Sequence, residues 1–210
     1  MRIAEIWRYP VKSLRGERVK TARLRRGGLD GDRVVHIHRG GEVVTAMTLP
    51  RLEGLPGTLG ADGEPLIDGA RWDTAEAHEK VRAIGGGEIE LVRIDGVRYD
   101  EAPLLVTTDG AVGALGEDGR RFRPNLVVEG VEGLSEREWV GRRLRVGEVE
   151  LIVREGCVRC MVTTIHPDSL EIDPAILRRI NEEFDRLMGV YCEVALPGEI
   201  AEGDEVELAD

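Results

Sequence analysis

The frequency of glycine constrains the fold of this chain most strongly. Of its 210 residues 27 are glycine, and they divide the chain into short segments rich in β-branched residues. Gly40 and Gly41, for example, separate segments 34–39 and 42–48 by the two residues of a tight hairpin. Many short strands joined by glycine turns favour a mainly β, α+β fold over a parallel α/β design.

Further strands are predicted where apolar and β-branched residues cluster, at residues 3–9, 18–24, 104–107, 126–129, 144–146, 148–154, 161–165, 190–196 and 205–208. One clear amphipathic helix is predicted from Pro174 to Met188, with Gly189 as its C-terminal stop. Two shorter helices are predicted, one capped by Thr108 or Asp109 and one from Ser135 to Trp139. Cys192, in a late strand, is predicted to be a core residue.

The length of 210 residues suits one domain or two small ones. The first hundred residues are strands and loops, and a second unit begins near Asp100. We therefore predict a β-rich N-terminal domain at residues 1–98 and a second domain at residues 99–210.

The charge of the chain excludes some classes of partner. A formal net charge of -11 argues against nucleic acid or an anionic membrane as the main partner. No apolar run approaches the roughly 20 residues of a membrane span, and no signal peptide opens the chain. Three cysteines do not make a disulfide scaffold. A cytoplasmic location is therefore expected.

Residues 157–160 place two of the three cysteines beside an arginine. A thiolate binds soft metals and attacks electrophiles, and a neighbouring guanidinium such as that of Arg159 favours the ionised form. The alternative is that Cys157 and Cys160 are two small buried hydrophobic residues of a strand. Structural zinc is disfavoured because only His166 could join the two cysteines locally, and a thioredoxin-like pair is disfavoured because a β-favouring run follows.

Two histidines, His36 and His38, alternate in a predicted strand and share one face. Nothing acidic or sulfur-bearing alternates with them, so a solvated strand face is favoured over a metal pair.

Three short segments offer cations or amide donors at strand ends. They are YPVKS at residues 9–13, GLDGDR at residues 28–33 and RFRPN at residues 121–125. Arginine binds an anion through two parallel hydrogen bonds, and lysine supplies a point charge. Serine and asparagine are neutral hydrogen-bond donors. Each segment alone could be a surface loop, but the set together with Arg159 and Cys160 could hold an anion with several oxygens.

These segments resemble the MOSC family, the molybdenum cofactor sulfurase C-terminal domain, preceded by the β-rich domain that often accompanies it. Two further motifs support the resemblance: a tryptophan followed by Gly-x-x-Leu-x-Val-Gly at residues 139–147, and CxRCxxTT at residues 157–164. The pattern, over essentially the whole chain, is similar to that of the mitochondrial amidoxime-reducing component and its bacterial relatives. The resemblance implies a MOSC β-barrel, a β-rich N-terminal domain and a few helices.

The resemblance also implies roles for individual residues. Cys160, the cysteine directly after arginine, becomes the molybdenum ligand and catalytic residue, and Cys157 takes the non-ligating position. The pterin and phosphate of the molybdenum cofactor (Mo-molybdopterin) would be held by Lys12, Ser13, Arg33, Arg123, Asn125 and Arg159. Thr107, Thr108, Thr163 and Thr164 lie in segments that the family places near the cofactor.

The activity implied by the resemblance is reduction of N-hydroxylated compounds by oxygen-atom transfer to molybdenum. The chain has too few cysteines for an iron–sulfur cluster held by four thiolates, no haem attachment motif and no nucleotide fingerprint. It also ends at Asp210 directly after its last predicted strand, so a fused ferredoxin domain is not expected. Electrons are therefore expected from a separate protein: a ferredoxin, a flavodoxin, or a cytochrome with its reductase.

Two alternative roles stay open from the sequence. Cys160 could carry a persulfide as a sulfurtransferase, using the same thiolate. The protein could also store or deliver the molybdenum cofactor without turnover. Pyridoxal phosphate binding is a further term that the family resemblance brings.

Overall fold

The computed structural model describes all residues, Met1–Asp210, and contains seventeen strands and three α-helices. The strands are β1 (Arg2–Arg8), β2 (Glu17–Val19), β3 (Thr21–Arg25), β4 (Gly28–Leu29), β5 (Val35–Arg39), β6 (Glu42–Val43), β7 (Gly57–Leu59), β8 (Pro65–Ile67), β9 (Ala70–Arg71), β10 (Glu90–Arg93), β11 (Leu104–Thr108), β12 (Leu126–Glu129), β13 (Arg143–Val146), β14 (Val149–Val158), β15 (Leu187–Leu196), β16 (Gly198–Ala201) and β17 (Glu207–Ala209). The helices are α1 (Ala75–Gly85), α2 (Asp109–Leu115) and α3 (Pro174–Glu183). Single 3-10 turns cover Pro50–Gly54, Gly119–Phe122, Ser135–Trp139 and Met161–Thr164. The mainly β, α+β architecture predicted from the sequence is confirmed.

An eight-stranded mixed sheet forms the centre of the molecule, in the order β17-β13-β14-β15-β11-β12-β1-β2. Only β11 and β12 are parallel, and α2 lies in the connection between them, as a parallel pair requires a crossover. A core of 20 buried residues covers this sheet, with Ile6, Leu104, Leu126 and Val153 among them. Cys192 belongs to the same core and is fully buried, which confirms its predicted place.

Three small sheets surround the large one, in the orders β10-β5-β6, β16-β3-β4 and β7-β8-β9. The predicted hairpin is present: β5 and β6 pair around Gly40 and Gly41, whose φ angles of 57° and 84° suit glycine. A second core of 13 buried residues joins β5 to α1 and to the turn at Pro50–Gly54.

The two predicted domains share the large sheet. Strand β1, from the first 98 residues, pairs antiparallel with β12, from the later ones. The N-terminal segment therefore completes the sheet on which the later strands lie. The division between residues 98 and 99 stays a prediction.

Helix α3 is shorter than predicted. It begins as expected, with Pro174 in its first turn and the Asp173 side chain accepting from the Ala175 amide at 2.9 Å. It ends at Glu183 and not at Met188, because Asp185 and Arg186 both have positive φ angles and reverse the chain. Residues 187–189 then begin β15, so the apolar pattern that continues the helix in the sequence belongs to a strand.

The prediction of a strand at residues 161–165 is wrong, because Met161–Thr164 form a 3-10 turn. The Thr163 amide and hydroxyl both donate to the carbonyl oxygen of Cys160, at 3.1 and 2.7 Å. Hydrogen bonds from threonine hydroxyls to nearby carbonyls compete with strand pairing. As a result the chain turns immediately after Cys160.

Two other local features differ from the sequence prediction. Helix α1 is absent from the prediction, although Thr74 caps it by accepting from the Ala77 amide. The short helix at 135–139 is a 3-10 turn without a side-chain cap, and the Ser135 hydroxyl donates to the Glu132 carbonyl. Helix α1 buries only Ala77 and Val81, so its apolar pattern is weak, and the turn at 135–139 is too short for helical periodicity to identify it.

Two glycines of helix α2 test how this helix packs on the loop at residues 131–133. A Cβ atom at Gly110 would lie 2.4 Å from the carbonyl oxygens of Val131 and Gly133, whereas one at Gly113 would meet nothing. We expect Gly110→Ala to lower the free energy of unfolding by about 1–3 kcal/mol through overpacking. Gly113→Ala should raise it by about 0.5–1 kcal/mol through helix propensity. Urea unfolding of both variants measures this, and shifts of the same sign would contradict the packing of α2 on the 131–133 loop.

Candidate functional site

A cavity of about 190 Å³ opens between the N-terminal segment and the end of β14. Seven side chains that the family resemblance assigns to the cofactor and its metal line it: Lys12, Ser13, Arg33, Arg123, Asn125, Arg159 and Cys160. They come from four separate segments of the chain, so the fold brings together residues that are up to 148 positions apart in sequence. Four of the seven are cations.

Unusual backbone conformations place three of these residues. Only seven residues other than glycine have positive φ angles, and three of them, Ser13, Arg33 and Arg123, line the cavity. Such conformations cost of order 1–3 kcal/mol each and are kept where the surrounding structure enforces them, often at functional sites. Their concentration here marks the cavity as a site with a role beyond folding.

The buried ring of Tyr9 organises two of the cations. The guanidinium carbons of Arg33 and Arg123 lie 5.3 and 4.4 Å from the centre of this ring. The Tyr9 hydroxyl donates to the Pro124 carbonyl at 3.1 Å. Burial raises the pKa of Tyr9 well above its ordinary value, so the ring stays neutral between the two charges.

Each of these two arginines also forms an ion pair with a carboxylate. Arg33 pairs with Asp32, and Arg123 Nη1 lies 3.3 Å from Glu53 Oε1. Burial raises the pKa of Glu53, and the charge of Arg123 opposes that shift. A second hydrogen bond, from Arg123 Nη2 to the Leu14 carbonyl at 2.8 Å, fixes the guanidinium in the wall of the cavity.

Asn125 ties the cavity floor to the large sheet. Its Oδ1 accepts from the Leu105 amide at 3.1 Å, and its Nδ2 donates to the Trp7 carbonyl at 3.3 Å. Because Asn125 is almost fully buried, these bonds lock its side chain between β1 and β11.

The last residues of β14 and the two that follow it face alternately the interior and solvent. Cys157 and Arg159 are buried, whereas Val158 and Cys160 are exposed. A bulge between Gly156 and Val158 lies just before this stretch. Bulges are frequent beside functional sites because they redirect side chains.

Arg159 contacts the buried cysteine. Its Nη1 lies 3.0 Å from Cys157 Sγ, and its Nη2 donates to the Phe122 carbonyl at 2.7 Å. Its Nε is buried and has no hydrogen-bond partner. A buried donor without a partner is costly, so a ligand acceptor in the cavity would satisfy it.

Cys160 is exposed at the edge of the cavity. Its carbonyl is held by Thr163, as described above, while its thiol is left free for a ligand. The structure thus separates the two cysteines: Cys157 packs inside against Arg159, and Cys160 is open to solvent.

The four threonines named from the family resemblance do not line the cavity. All four, Thr107, Thr108, Thr163 and Thr164, are buried. Thr108 caps α2 by accepting from the Ala111 amide at 3.0 Å, and it donates to the buried Glu136 carboxylate at 3.3 Å. Burial raises the pKa of Glu136. Thr163 and Thr164 shape the turn after Cys160.

Several residues of the cavity were not predicted. Asp100 pairs with Lys12 Nζ, and Tyr191 from β15 lines the wall near Cys157. Burial, together with Cys157, raises the pKa of Tyr191, which keeps the phenol protonated. Met47, Tyr99 and Val158 complete the opening. Of these residues, only Val158 lies in a segment that the sequence analysis singled out, between the two cysteines.

The prediction of a solvated histidine face is wrong for His36, which is buried and whose Nε2 lies 3.1 Å from the Arg98 carbonyl oxygen. Burial, with a smaller contribution from the charge of Lys12, lowers the pKa of His36 to about 4. The neutral imidazole therefore lies near Lys12, on the side of the cavity that this lysine lines.

The donor set suits an anionic cofactor with a soft metal. Four cations, among them Arg159 with its unpartnered Nε, and the Asn125 amide offer donors for phosphate and pterin oxygens. One exposed thiol offers a soft metal ligand, and no group of three or more His, Cys, Asp or Glu side chains converges at this cavity or anywhere else in the structure.

Comparison with known families agrees with this geometry. Residues 105–207 match the MOSC domain, and residues 1–78 match the MOSC N-terminal beta barrel domain. The chain belongs to the MOSC family. The MOSC match contains β14 and Cys160, and the N-terminal match contains Lys12, Ser13 and Arg33.

Relatives of this MOSC protein carry two kinds of name. The human protein named mitochondrial amidoxime-reducing component 1 is 26% identical, over 98% of this chain and 82% of that protein. Mitochondrial amidoxime reducing component 2 of Macaca fascicularis is 27% identical, over 81% of this chain and 68% of that protein. Molybdenum cofactor sulfurase of rice, Oryza sativa subsp. japonica, is 26% identical, over 78% of this chain and 28% of that protein.

A solved structure shares the fold of this MOSC protein. The YUAD protein from Bacillus subtilis aligns with a TM-score of 0.55 at 13% identity, covering 99% of this chain and 94% of that one. None of the helices combines the length and apolar character that crossing a membrane would need.

The buried His36 predicts how the stability of the protein depends on pH. Its pKa is lowered on folding, so its contribution to stability is present above the unfolded pKa of about 6.5 and is lost as the pH falls toward 4. Between pH 6.5 and 5, we expect wild type to lose about 1–2 kcal/mol more unfolding free energy than His36→Gln, which cannot take up this proton. Urea unfolding at both pH values measures the difference, and parallel losses in the two proteins would contradict the burial of a neutral imidazole.

Proposed function

We propose that this MOSC protein binds the molybdenum cofactor in the cavity and reduces N-hydroxylated compounds. The observation that carries the proposal is the exposed Cys160 thiol at the edge of a cavity lined by four cations. The names of the relatives, amidoxime-reducing component and molybdenum cofactor sulfurase, support the same cofactor.

Each part of the cavity has a role in this proposal. Cys160 supplies the thiolate that ligates molybdenum. Lys12, Arg33, Arg123 and Arg159 neutralise the phosphate and the pterin oxygens, and Ser13 and Asn125 orient them. Thr108 and Thr163 act through the backbone that they hold in place, since they do not reach the cavity. Thr107 also lies outside the cavity, and its hydroxyl has no hydrogen-bond partner.

Lys12 exchanges its partner in this proposal. Its Nζ is paired with Asp100, whose side chain is 76% exposed, whereas the Lys12 side chain is 11% exposed. An ion pair with one exposed partner is worth little, because water competes for the carboxylate. A phosphate inside the cavity can therefore replace Asp100 at low cost.

When bound, the cofactor supplies two-electron oxygen-atom-transfer chemistry. The overall reaction converts R–NH–OH, two electrons and two protons into R–NH₂ and water. Asn125, Lys12 and Arg159 are buried at the cation-lined floor, so a cofactor bound there would displace the water from it. Cys160 stands at the exposed edge, where a substrate from solution can approach.

The electrons come from a separate protein in this proposal. Three cysteines, two of them buried, cannot hold a four-thiolate cluster within these residues. A ferredoxin, a flavodoxin, or a cytochrome with its reductase is the expected donor. The cytoplasmic location and pyridoxal phosphate binding also stay predictions.

The two cysteines provide a matched test. We expect Cys160→Ser to lose at least about 90% of molybdenum per chain and of benzamidoxime reduction, because an alcohol is a poor ligand for a soft metal. Cys157→Ser should keep most of both, since a buried hydroxyl still accepts from Arg159. Metal analysis, pterin fluorescence and turnover with a dithionite-reduced donor, on protein from a host that makes the cofactor, give the values.

Other results of that experiment select other functions. Wild-type levels of reduction by Cys160→Ser would rule out the proposed role of this thiol. Cyanide-releasable sulfur on Cys160 without metal would favour the sulfurtransferase. Stoichiometric cofactor with no turnover under any donor would favour the cofactor carrier.

The planar guanidinium group of Arg159 provides an independent test of the cofactor site. Lysine keeps the charge but cannot reach Cys157, the Phe122 carbonyl and the cavity at once, as Arg159 does. We expect Arg159→Lys to retain less than about one fifth of the wild-type pterin after gel filtration. Arg145→Lys, at an exposed position of β13, is the matched control and should retain all of it. Equal retention by both variants would remove Arg159 from the cofactor site.

A further inference from the structure

The opening of the cavity differs in chemistry from its floor. The floor consists of buried cations and amides, whereas two of the seven large hydrophobic side chains exposed anywhere on the protein, Met47 and Val158, line the opening. Each is 52% exposed. Exposed apolar side chains that lie next to a polar cavity offer contact area to an apolar group of a ligand.

Val158 is fixed relative to the Cys160 thiol. The alternation at the end of β14 buries Cys157 and Arg159 and exposes Val158 and Cys160, so these two share one face. Side chains two positions apart on one face of an extended chain are neighbours. An apolar group that contacts Val158 therefore lies beside the thiol.

Met47 comes from an unrelated part of the chain, the loop that follows β6. The loop enters the opening next to Thr45 and Ala46, which also line it. A flexible thioether adapts its shape to planar and aliphatic partners alike. Met47 and Val158 thus border the opening from two separate segments, and we call the pair the apolar rim.

We propose that the apolar rim sets substrate preference, favouring N-hydroxylated compounds that carry an aryl or alkyl group over hydroxylamine itself. The inference rests on the proposed function, because it places the N–O bond at Cys160. The substituent would lie on Met47 and Val158, while the N–O group faces the exposed Cys160 edge. Hydroxylamine has no group that can contact the rim, so the rim does not strengthen its binding.

The test replaces the rim without changing its volume much. Met47→Gln and Val158→Thr, alone and combined, exchange apolar for polar groups of similar size. Val140→Thr, at an exposed position away from the cavity, is the matched control. Two measurements are made on cofactor-loaded protein: calorimetric binding of benzamidoxime without electron donor, and kcat/KM for benzamidoxime and hydroxylamine with donor.

Loss of an apolar contact of about one methyl or methylene changes discrimination by roughly tenfold or more. We expect the double variant to bind benzamidoxime roughly tenfold more weakly and to lose a similar factor in its kcat/KM. The value for hydroxylamine should change less than about twofold. Val140→Thr should match wild type for both compounds.

Three results would overturn the rim proposal: no binding of benzamidoxime to wild type, an unchanged dissociation constant in the double variant, or an equal fall in kcat/KM for both compounds. Failure of the proposed function has a different signature. In that case benzamidoxime binds and the rim variants weaken its binding, yet no electron donor supports its reduction. That pattern would retain the rim as a ligand contact and discard the reductase.

Discussion

The contact of two guanidinium groups with the ring of Tyr9 holds the cavity together. Arg33 and Arg123 lie far apart in sequence, and both stack on this one buried ring. A neutral aromatic face attracts cations without neutralising them, so both arginines keep their charge at the cavity wall. The N-terminal segment and the later strands meet at this point, and the site exists only where they meet.

Placing several cations in one partly buried space has an electrostatic cost, because like charges repel and burial removes hydration. Asp32, Glu53 and Asp100 offset part of this cost from the outer sides of the cations. The Arg159 Nε has no hydrogen-bond partner. In the proposed function, a phosphate-bearing ligand would complete the electrostatics of the site.

The large sheet supplies the rigidity that such an arrangement needs. Tyr9, Lys12 and Ser13 lie just after the end of β1, and residues 157–160 lie at and just after the end of β14. Asn125 fastens β1 to β11 with side-chain hydrogen bonds. The bulge in β14 and the threonine-held turn after Cys160 then leave the thiol exposed at the opening.

The sequence by itself determined the fold class, the hairpin at Gly40 and Gly41, the start of α3 and the set of segments that meet at the cavity. These features depend on local propensity, on capping or on short motifs, which neighbouring residues carry. Tertiary structure alone decided where α3 ends, that residues 161–164 turn, and that His36 is buried. It also decided that Arg159 contacts Cys157 while Cys160 faces solvent, and that Asp100, Met47 and Tyr191 join the site. Those outcomes depend on contacts between residues distant in sequence, whose burial and hydrogen-bond partners exist only once the strands have paired.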